Sequence, residues 1–261
     1  MRSITATATD AAGNVSAPSA APLAITVDTT APANKPTGLD LDADDDTGVN
    51  TGDNITNQTS GLTITGQTDA NARVQLRNGA NLLDTVTANA SGVFSYEATL
   101  AASATPYAIT ARVIDAAGNV GPDSDQLAIT VDTTAPANKP TGLDLAAADD
   151  MGISSSDDIT NQTSGLTITG QTDPNARVEL FDGANSLGFA TANGSGVFSY
   201  EATLAAGTHA ITARAIDAAG NVGPTSDELV ITVGTTAFGA PTGLNLAAAD
   251  DTGVNLSLIH I

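Results

Sequence analysis

The chain has 261 residues, a formal net charge of −21, 3% aromatic residues and no cysteine. Without cysteine it has no disulfide framework, and its strongly acidic character makes nucleic acid and anionic membranes poor partners. Of its 29 acidic residues only four are Glu. Asp is the acid favoured where a short carboxylate serves a turn or a metal-binding loop.

One unit of sequence recurs along the chain with a period of about a hundred residues, which is typical of a tandem array. Asp-Thr-Thr-Ala-Pro begins at Asp28 and at Asp132, and Asp-Ala-Ala-Gly-Asn begins at Asp10, Asp115 and Asp217. We call the last three segments the DAAGN loops. The period predicts the C-terminal strands of a truncated repeat over 1–27, complete repeats over 28–131 and 132–233, the start of a truncated repeat over 234–255, and a non-native tail over 256–261. That tail resembles the translation of a sequencing-library adapter.

Within each complete repeat the apolar residues alternate with a period of two, which indicates β-strands and not helices. Leu62 to Thr65 and Val74 to Arg77 are the first clear examples. Asn78-Gly79 follows directly and predicts a two-residue hairpin turn with positive φ at both positions. Later strands are predicted around Phe94, Tyr96 and Leu100, around Ile109, Ala111 and Val113, and around Leu127, Ile129 and Val131. About seven short strands in a hundred residues predict an all-β fold of tandem immunoglobulin-like antiparallel β-sandwiches.

This strand order places the acidic loop of residues 40–53 at one end of a repeat and the DAAGN loop at the other. At the joint between the complete repeats, Asp45, Asp46 and Asp53 would therefore face Asp132, Asp173, Asp217 and Asn221. Carboxylates about 5 Å apart repel by roughly 3 kcal/mol per pair at a surface dielectric near 20, so such a cluster favours a bound cation.

Oxygen ligands without cysteine and with little histidine indicate Ca²⁺. The simpler interpretation is that Asp, Asn and Gly form hydrated turns. The predicted calcium ligands are Asp28, Asp45, Asp46, Asp53, Asp69, Asp115, Asn119, Asp132, Asp149, Asp150, Asp157, Asp173, Asp217 and Asn221.

The segments VDTTAP, DDxG, SGLTITG, GxFSY and DAAGNVGP occur in this order, and with them the chain resembles the bacterial Ig-like repeats of giant type I-secreted, biofilm-associated surface adhesins. The resemblance covers essentially all of residues 1–255. It implies an extracellular stalk of a Gram-negative bacterium, in which calcium between neighbouring repeats limits bending. It also implies that any adhesive ligand binds outside this segment.

Other functions are less well supported by the sequence. His209 occupies the position of Tyr107, where Ig-like folds use a tyrosine structurally, and no Ser/His/Asp set recurs in both repeats. We therefore expect no enzymatic activity and no catalytic residue. No apolar stretch reaches the length of a membrane span, so no direct membrane insertion is expected. The alternative is a carbohydrate- or ligand-binding module with Phe181 as an exposed platform, although its counterpart in the first repeat is Arg77.

Overall fold

The computed structural model describes residues 1–152, 154–237, 239–240 and 242. Strands account for all the regular structure within these residues, so the predicted all-β class is confirmed. In the same residues no helix is long and apolar enough to cross a membrane. Of the predicted segments, 256–261 and most of 234–255 lie outside the described residues.

A pair of strands opens the chain, and the first module contains the nine strands that follow. The strands are β1 (Arg2–Ile4), β2 (Leu23–Ile25), β3 (Thr37–Leu41), β4 (Ile55–Thr56), β5 (Ser60–Gln67), β6 (Arg73–Asn78), β7 (Asn81–Thr87), β8 (Val93–Thr99), β9 (Ser103–Ile114), β10 (Val120–Asp123) and β11 (Leu127–Val131). β3, β5 and β8 form one sheet. β4, β11, β9, β6 and β7 form the other, with β10 paired to β9.

The second module repeats this arrangement strand by strand. Its strands are β12 (Thr141–Leu145), β13 (Ile159–Thr160), β14 (Ser164–Gln171), β15 (Arg177–Asp182), β16 (Asn185–Thr191), β17 (Val197–Thr203), β18 (Gly207–Ile216), β19 (Val222–Thr225) and β20 (Leu229–Val233). All pairings are antiparallel except β4 with β11 and β13 with β20, which are parallel. Because β3 and β4 belong to different sheets, the acidic loop between them carries the chain across the end of the sandwich.

Each core lies between the two sheets and is built from the inward-facing residues of the alternating strands. Leu62, Ile64 and Phe94 are fully buried in the first module, as are their counterparts in the second. The Phe94 ring lies directly over Gly66, where a Cβ would overlap the ring. Gly66, the second glycine of the SGLTITG segment, therefore makes room for Phe94, the largest side chain of the core.

The hairpin turn differs from its prediction by one residue. Asn78 is the last residue of β6 and pairs with Asn81, so the two turn residues are Gly79 and Ala80. Of these only Gly79 has positive φ, at +54°. Gly79, at the first turn position, allows the chain to reverse direction. Asn78 lies outside the turn and accepts a hydrogen bond from the Ala108 N–H.

Candidate functional site: the joint between the modules

The DAAGN loops are held by their own aspartate. Asp115 Oδ1 accepts the N–H groups of Ala117 and Asn119, and Asp115 Oδ2 accepts the Asn119 side-chain amide. The hydrogen bond from the Asn119 side chain lowers the pKa of Asp115. Asp217 and Asn221 make the matching bonds in the second module. Asp and Asn thus fix a loop in which Gly118 and Gly220 have positive φ.

The same asparagine attaches the preceding linker to the loop. Asn221 Nδ2 donates to the Asp132 carbonyl at 2.8 Å, and Asn119 Nδ2 donates to the Asp28 carbonyl at 3.1 Å. The side chains of Asp28 and Asp132 accept N–H groups two residues ahead, from Thr30 and Thr134. These hydrogen bonds therefore attach each linker to the DAAGN loop of the module that it enters.

A cleft of about 560 Å³ lies between the two modules. Four of the predicted ligands line it: Asp53 from the acidic loop of the first module, and Asp132, Asp173 and Asp217 from the second. Arg177 brings a positive charge to the same cleft, and Val49 and Ile216 are among its apolar lining. Carboxylates 79 to 164 positions apart in the sequence thus meet at one joint.

The donor chemistry of this cleft fits a calcium ion, but the carboxylates do not converge on one point. Within the described residues, no group of three or more carboxylate or imidazole side chains is close enough to hold a metal ion. Three of the carboxylates each accept one local hydrogen bond: Asp53 from Ile55, Asp132 from Thr134 and Asp173 from the Asn138 amide. Each keeps further lone pairs for another partner.

Asp45 and Asp46 are not among the residues that line this cleft, and backbone donors of their own module bind both carboxylates. Asp45 Oδ2 accepts the Thr63 N–H at 2.8 Å, and Asp46 Oδ2 accepts the Asn54 N–H at 3.0 Å. Asp46 is 1% exposed and its Oδ1 has no hydrogen-bond partner. Burial raises the pKa of Asp46, and the negative charge of Asp53 adds to this effect.

The second copy of the acidic loop shows the same use of the two aspartates. Asp149 accepts the Thr167 N–H, and Asp150 accepts the N–H groups of Asp157, Asp158 and Ile159. The paired aspartates of the DDxG motif therefore fasten the acidic loop to its own sandwich. At the other end of the first module, Asp69 accepts the Asn34 side-chain amide.

A direct contact between the modules was not predicted from the sequence. The Thr47 hydroxyl of the first module donates to the Ala219 carbonyl of the second at 2.6 Å. Gly48 lies against the same DAAGN loop so closely that a Cβ would overlap the Ala218 carbonyl oxygen. The sequence signal was present in Gly48, which recurs as Gly152 and Gly253, but not in the variable residue before it.

Comparison with known proteins identifies the modules. The sequence model described as "Bacterial Ig-like domain" matches residues 32–133 and 136–235, which together are most of the chain. The chain belongs to this family. Both complete bacterial Ig-like domains lie in tandem, as the sequence repeats predicted. No curated protein matches the sequence at a significant level.

Several solved structures are similar to the two bacterial Ig-like domains, and three of them come from bacterial proteins. The fibronectin(III)-like modules of Clostridium thermocellum CbhA are 20% identical over 69% of this chain and 88% of theirs, with a TM-score of 0.45. A Ca²⁺-stabilized adhesin of an Antarctic bacterium that binds ice is 23% identical over 90% of this chain and 57% of its own, with a TM-score of 0.39. A 1.5-MDa bacterial ice-binding adhesin is 19% identical over 87% of this chain and 72% of its own, with a TM-score of 0.36.

His209 of the second Ig-like domain has a structural environment. Its Nδ1 lies 2.7 Å from Asp182 Oδ2, and its Nε2 lies 2.8 Å from the Ala205 carbonyl oxygen. Burial opposes the charged form, but the hydrogen bonds to Asp182 and Ala205 outweigh it and raise the pKa of His209. In the first domain the Tyr107 hydroxyl donates to the Ala101 carbonyl instead.

The aromatic surface of the second Ig-like domain differs from its prediction. Phe181 is only partly exposed, and the Arg214 guanidinium lies 5.2 Å from its ring centre. Phe189, which sequence reasoning missed, is 47% exposed and has Arg177 stacked 3.6 Å from its ring centre. The alternation of β16 could have indicated Phe189, but its counterpart in the first domain is Thr85.

Proposed function

We propose that the chain is a structural, non-enzymatic extender segment of a large bacterial cell-surface adhesin, with Ig-like modules stacked end to end. The contact between the acidic loop of one module and the DAAGN loop of the next is the observation that supports this function. The two surfaces lie at opposite ends of the same repeated unit, so the contact is head-to-tail. Such a contact can be repeated without closing on itself.

The length of a module determines what the array achieves. The eight residues of β5 span about 26 Å at roughly 3.3 Å per residue. Every added module therefore moves a distant tip outward by at least this distance. Resemblance to the repeats of type I-secreted adhesins further supports a location outside a Gram-negative cell, with adhesive ligands bound elsewhere in the protein.

Calcium at the joint completes this proposal. Four carboxylates, those of Asp53, Asp132, Asp173 and Asp217, line one cleft together with a single positively charged side chain, Arg177, and a bound cation would reduce their repulsion. Extracellular calcium modules bind with dissociation constants of about 10⁻⁴–10⁻³ M. Calcium at ten times its dissociation constant stabilises its bound state by roughly 1.4 kcal/mol per site.

Small-angle scattering of the full chain in calcium and in chelator tests this part. We expect the wild-type radius of gyration to be larger in calcium, and the double variant Asp132→Asn with Asp217→Asn to lose the difference. The matched control is Asp28→Asn with Asp115→Asn, which removes the same charges from the uncovered end of the first module. Equal extension of the wild type in both solutions would exclude calcium stiffening of this joint.

The second candidate function is carbohydrate or ligand binding by the surface around Phe181 and Phe189. Its support is the pair of arginine–phenylalanine stacks in the second module. The equivalent positions of the first module carry Arg77 and Thr85, so the surface does not recur. A glycan array probed with the full chain separates the two functions, because only a binding module would give a signal that Phe189→Ala abolishes.

A further inference from the structure

The joint contains a contact that needs no ion. Thr47 Oγ1 accepts the Asn57 N–H at 2.8 Å within its own module and donates across the joint to the Ala219 carbonyl. A hydroxyl supplies one donor and two acceptor positions, so both bonds are made by a single side chain. Within its own module the hydroxyl also lies 3.3 Å from Thr56 Oγ1 and from Asn57 Oδ1, so the Ala219 carbonyl at 2.6 Å is its nearest acceptor.

Two glycines allow the backbones to approach at this point. Gly48 has φ of +100°, and Gly220 has φ of +88°. A Cβ on Gly220 would lie 2.9 Å from the Gly48 nitrogen, closer than real Cβ contacts allow. Gly118, the counterpart of Gly220 in the first module, has φ of +93° with open space around it. The tight approach is therefore a property of the joint and not of the loop conformation.

The residue before the glycine differs between repeats. Asp-Asp-Thr-Gly occurs at 45–48 and 250–253, whereas Asp-Asp-Met-Gly occurs at 149–152. A methionine has no hydroxyl hydrogen to donate to a carbonyl.

We propose that Thr47 and Gly48 form a docking turn that fixes the angle of the joint by binding the Ala218–Gly220 backbone, and that the residue at position 47 decides whether a joint is fixed in this way. Repeats with threonine there make hydrogen-bonded joints, and repeats with methionine make freer ones. The sequence of a stalk then determines the order of its stiff and flexible joints. The inference rests on the proposed extender role but not on calcium.

Distance measurements between spin labels test the docking turn in the full chain. The protein has no cysteine, so Ser95→Cys and Ser199→Cys, both exposed, place one label on each module. In excess chelator we expect a narrow distance distribution for the wild type and for Thr47→Ser. Thr47→Val and Thr47→Met lose the donor, and loss of one hydrogen bond lowers the ratio of docked to undocked joints by about two- to tenfold. Their distributions should broaden accordingly.

A second pair of variants changes the other side of the contact and keeps Thr47 intact. Gly220→Ala should broaden the distribution, whereas Gly118→Ala, with the same backbone strain and free space, should leave it narrow. Equal widths for Thr47→Val and the wild type, or equal broadening by both glycine variants, would overturn the docking turn. A wild-type distribution that is broad in chelator and narrow in calcium whatever residue occupies position 47 would also overturn it, while supporting the calcium proposal.

Discussion

The two DAAGN loops of the complete modules have the same sequence and the same conformation, but among the described residues only the second is covered by a neighbouring module. The glycines have φ of +93° and +88°, and the aspartates make the same hydrogen bonds to the asparagines. Ala219 is 1% exposed beneath Thr47, whereas its counterpart Ala117 is exposed. The loop's own hydrogen bonds thus give it its shape, and docking adds burial without refolding it.

A second difference separates otherwise matching modules. Tyr107 and Asn78 of the first module are replaced by His209 and Asp182 in the second. Both pairs satisfy the same backbone groups, since Asn78 and Asp182 accept the N–H groups of Ala108 and Ala210. The first module therefore has a neutral pair at this position of the fold and the second module has an ionisable pair. We expect only the pair of the second module to respond to pH.

The largest expected effect concerns the independence of the two cores. Phe94→Ala and Phe198→Ala each remove a ring that is 1% exposed, and such truncations cost about 3–5 kcal/mol. Since each module has a separate buried cluster, each variant should destabilise its own module and leave the other folded. Hydrogen exchange resolved by mass spectrometry can follow the two modules separately.

The matched substitutions are controls for each other. If Phe94→Ala also raised exchange throughout the second module, the joint would couple the folding of the modules, and the description of independent sandwiches would be wrong. Raised exchange confined to residues 217–221 would instead reflect loss of the docked acidic loop alone.

The pH dependence of the second module is the next largest effect. The folded-state pKa of His209 is raised, so its pairing with Asp182 contributes stability that is fully present below the unfolded pKa of about 6.5. This contribution is lost as pH rises through the folded-state pKa. Each unit by which the pKa is raised corresponds to about 1.4 kcal/mol. Urea unfolding between pH 5.5 and 9 should show the loss in the second module only.

The double variant His209→Tyr with Asp182→Asn recreates the pair of the first module and should remove this pH dependence. A second module that loses stability equally with pH in the double variant would show that other groups titrate. The single variant His209→Tyr is less informative, because it leaves the Asp182 charge without its partner.

Much of the fold could be predicted because the strands carry a regular alternation and the sequence is repeated. Period two at Leu62–Thr65 and Val74–Arg77 indicated strands that the structure contains. The hairpin turn was misplaced because the register depends on where Asn78 finds its partner, which is a tertiary matter. The short strands β4 and β10 have two and four residues, too few for an alternation to be recognised.

The joint was only partly predictable. Strand order was sufficient to bring Asp53 and Asp132 to one place. It could not show that Asp45 and Asp46 bind backbone donors of their own module, because the direction of a loop side chain depends on which backbone donors lie nearby. Thr47 was not predicted as a contact residue because the residue at its position varies between repeats. That variation is the basis of the inferred difference between joints.

The smallest expected effect concerns two matching surface ion pairs. Lys35 and Asp125 of the first module lie 2.7 Å apart, and Lys139 and Asp227 of the second lie 2.6 Å apart, all with much of their side chains exposed. Exposed pairs contribute about 0–1 kcal/mol and are weakened by salt. Lys35→Ala and Lys139→Ala should therefore shift the urea midpoints of their modules slightly and equally, and less in high salt. Both pairs tie a linker to the segment that follows a DAAGN loop, and only the second of these loops is docked. A clearly larger loss of stability for Lys139→Ala would mean that docking orders the linker as well as the contact at Thr47. The two modules would then differ in the order of their linkers and not only in the burial of their DAAGN loops.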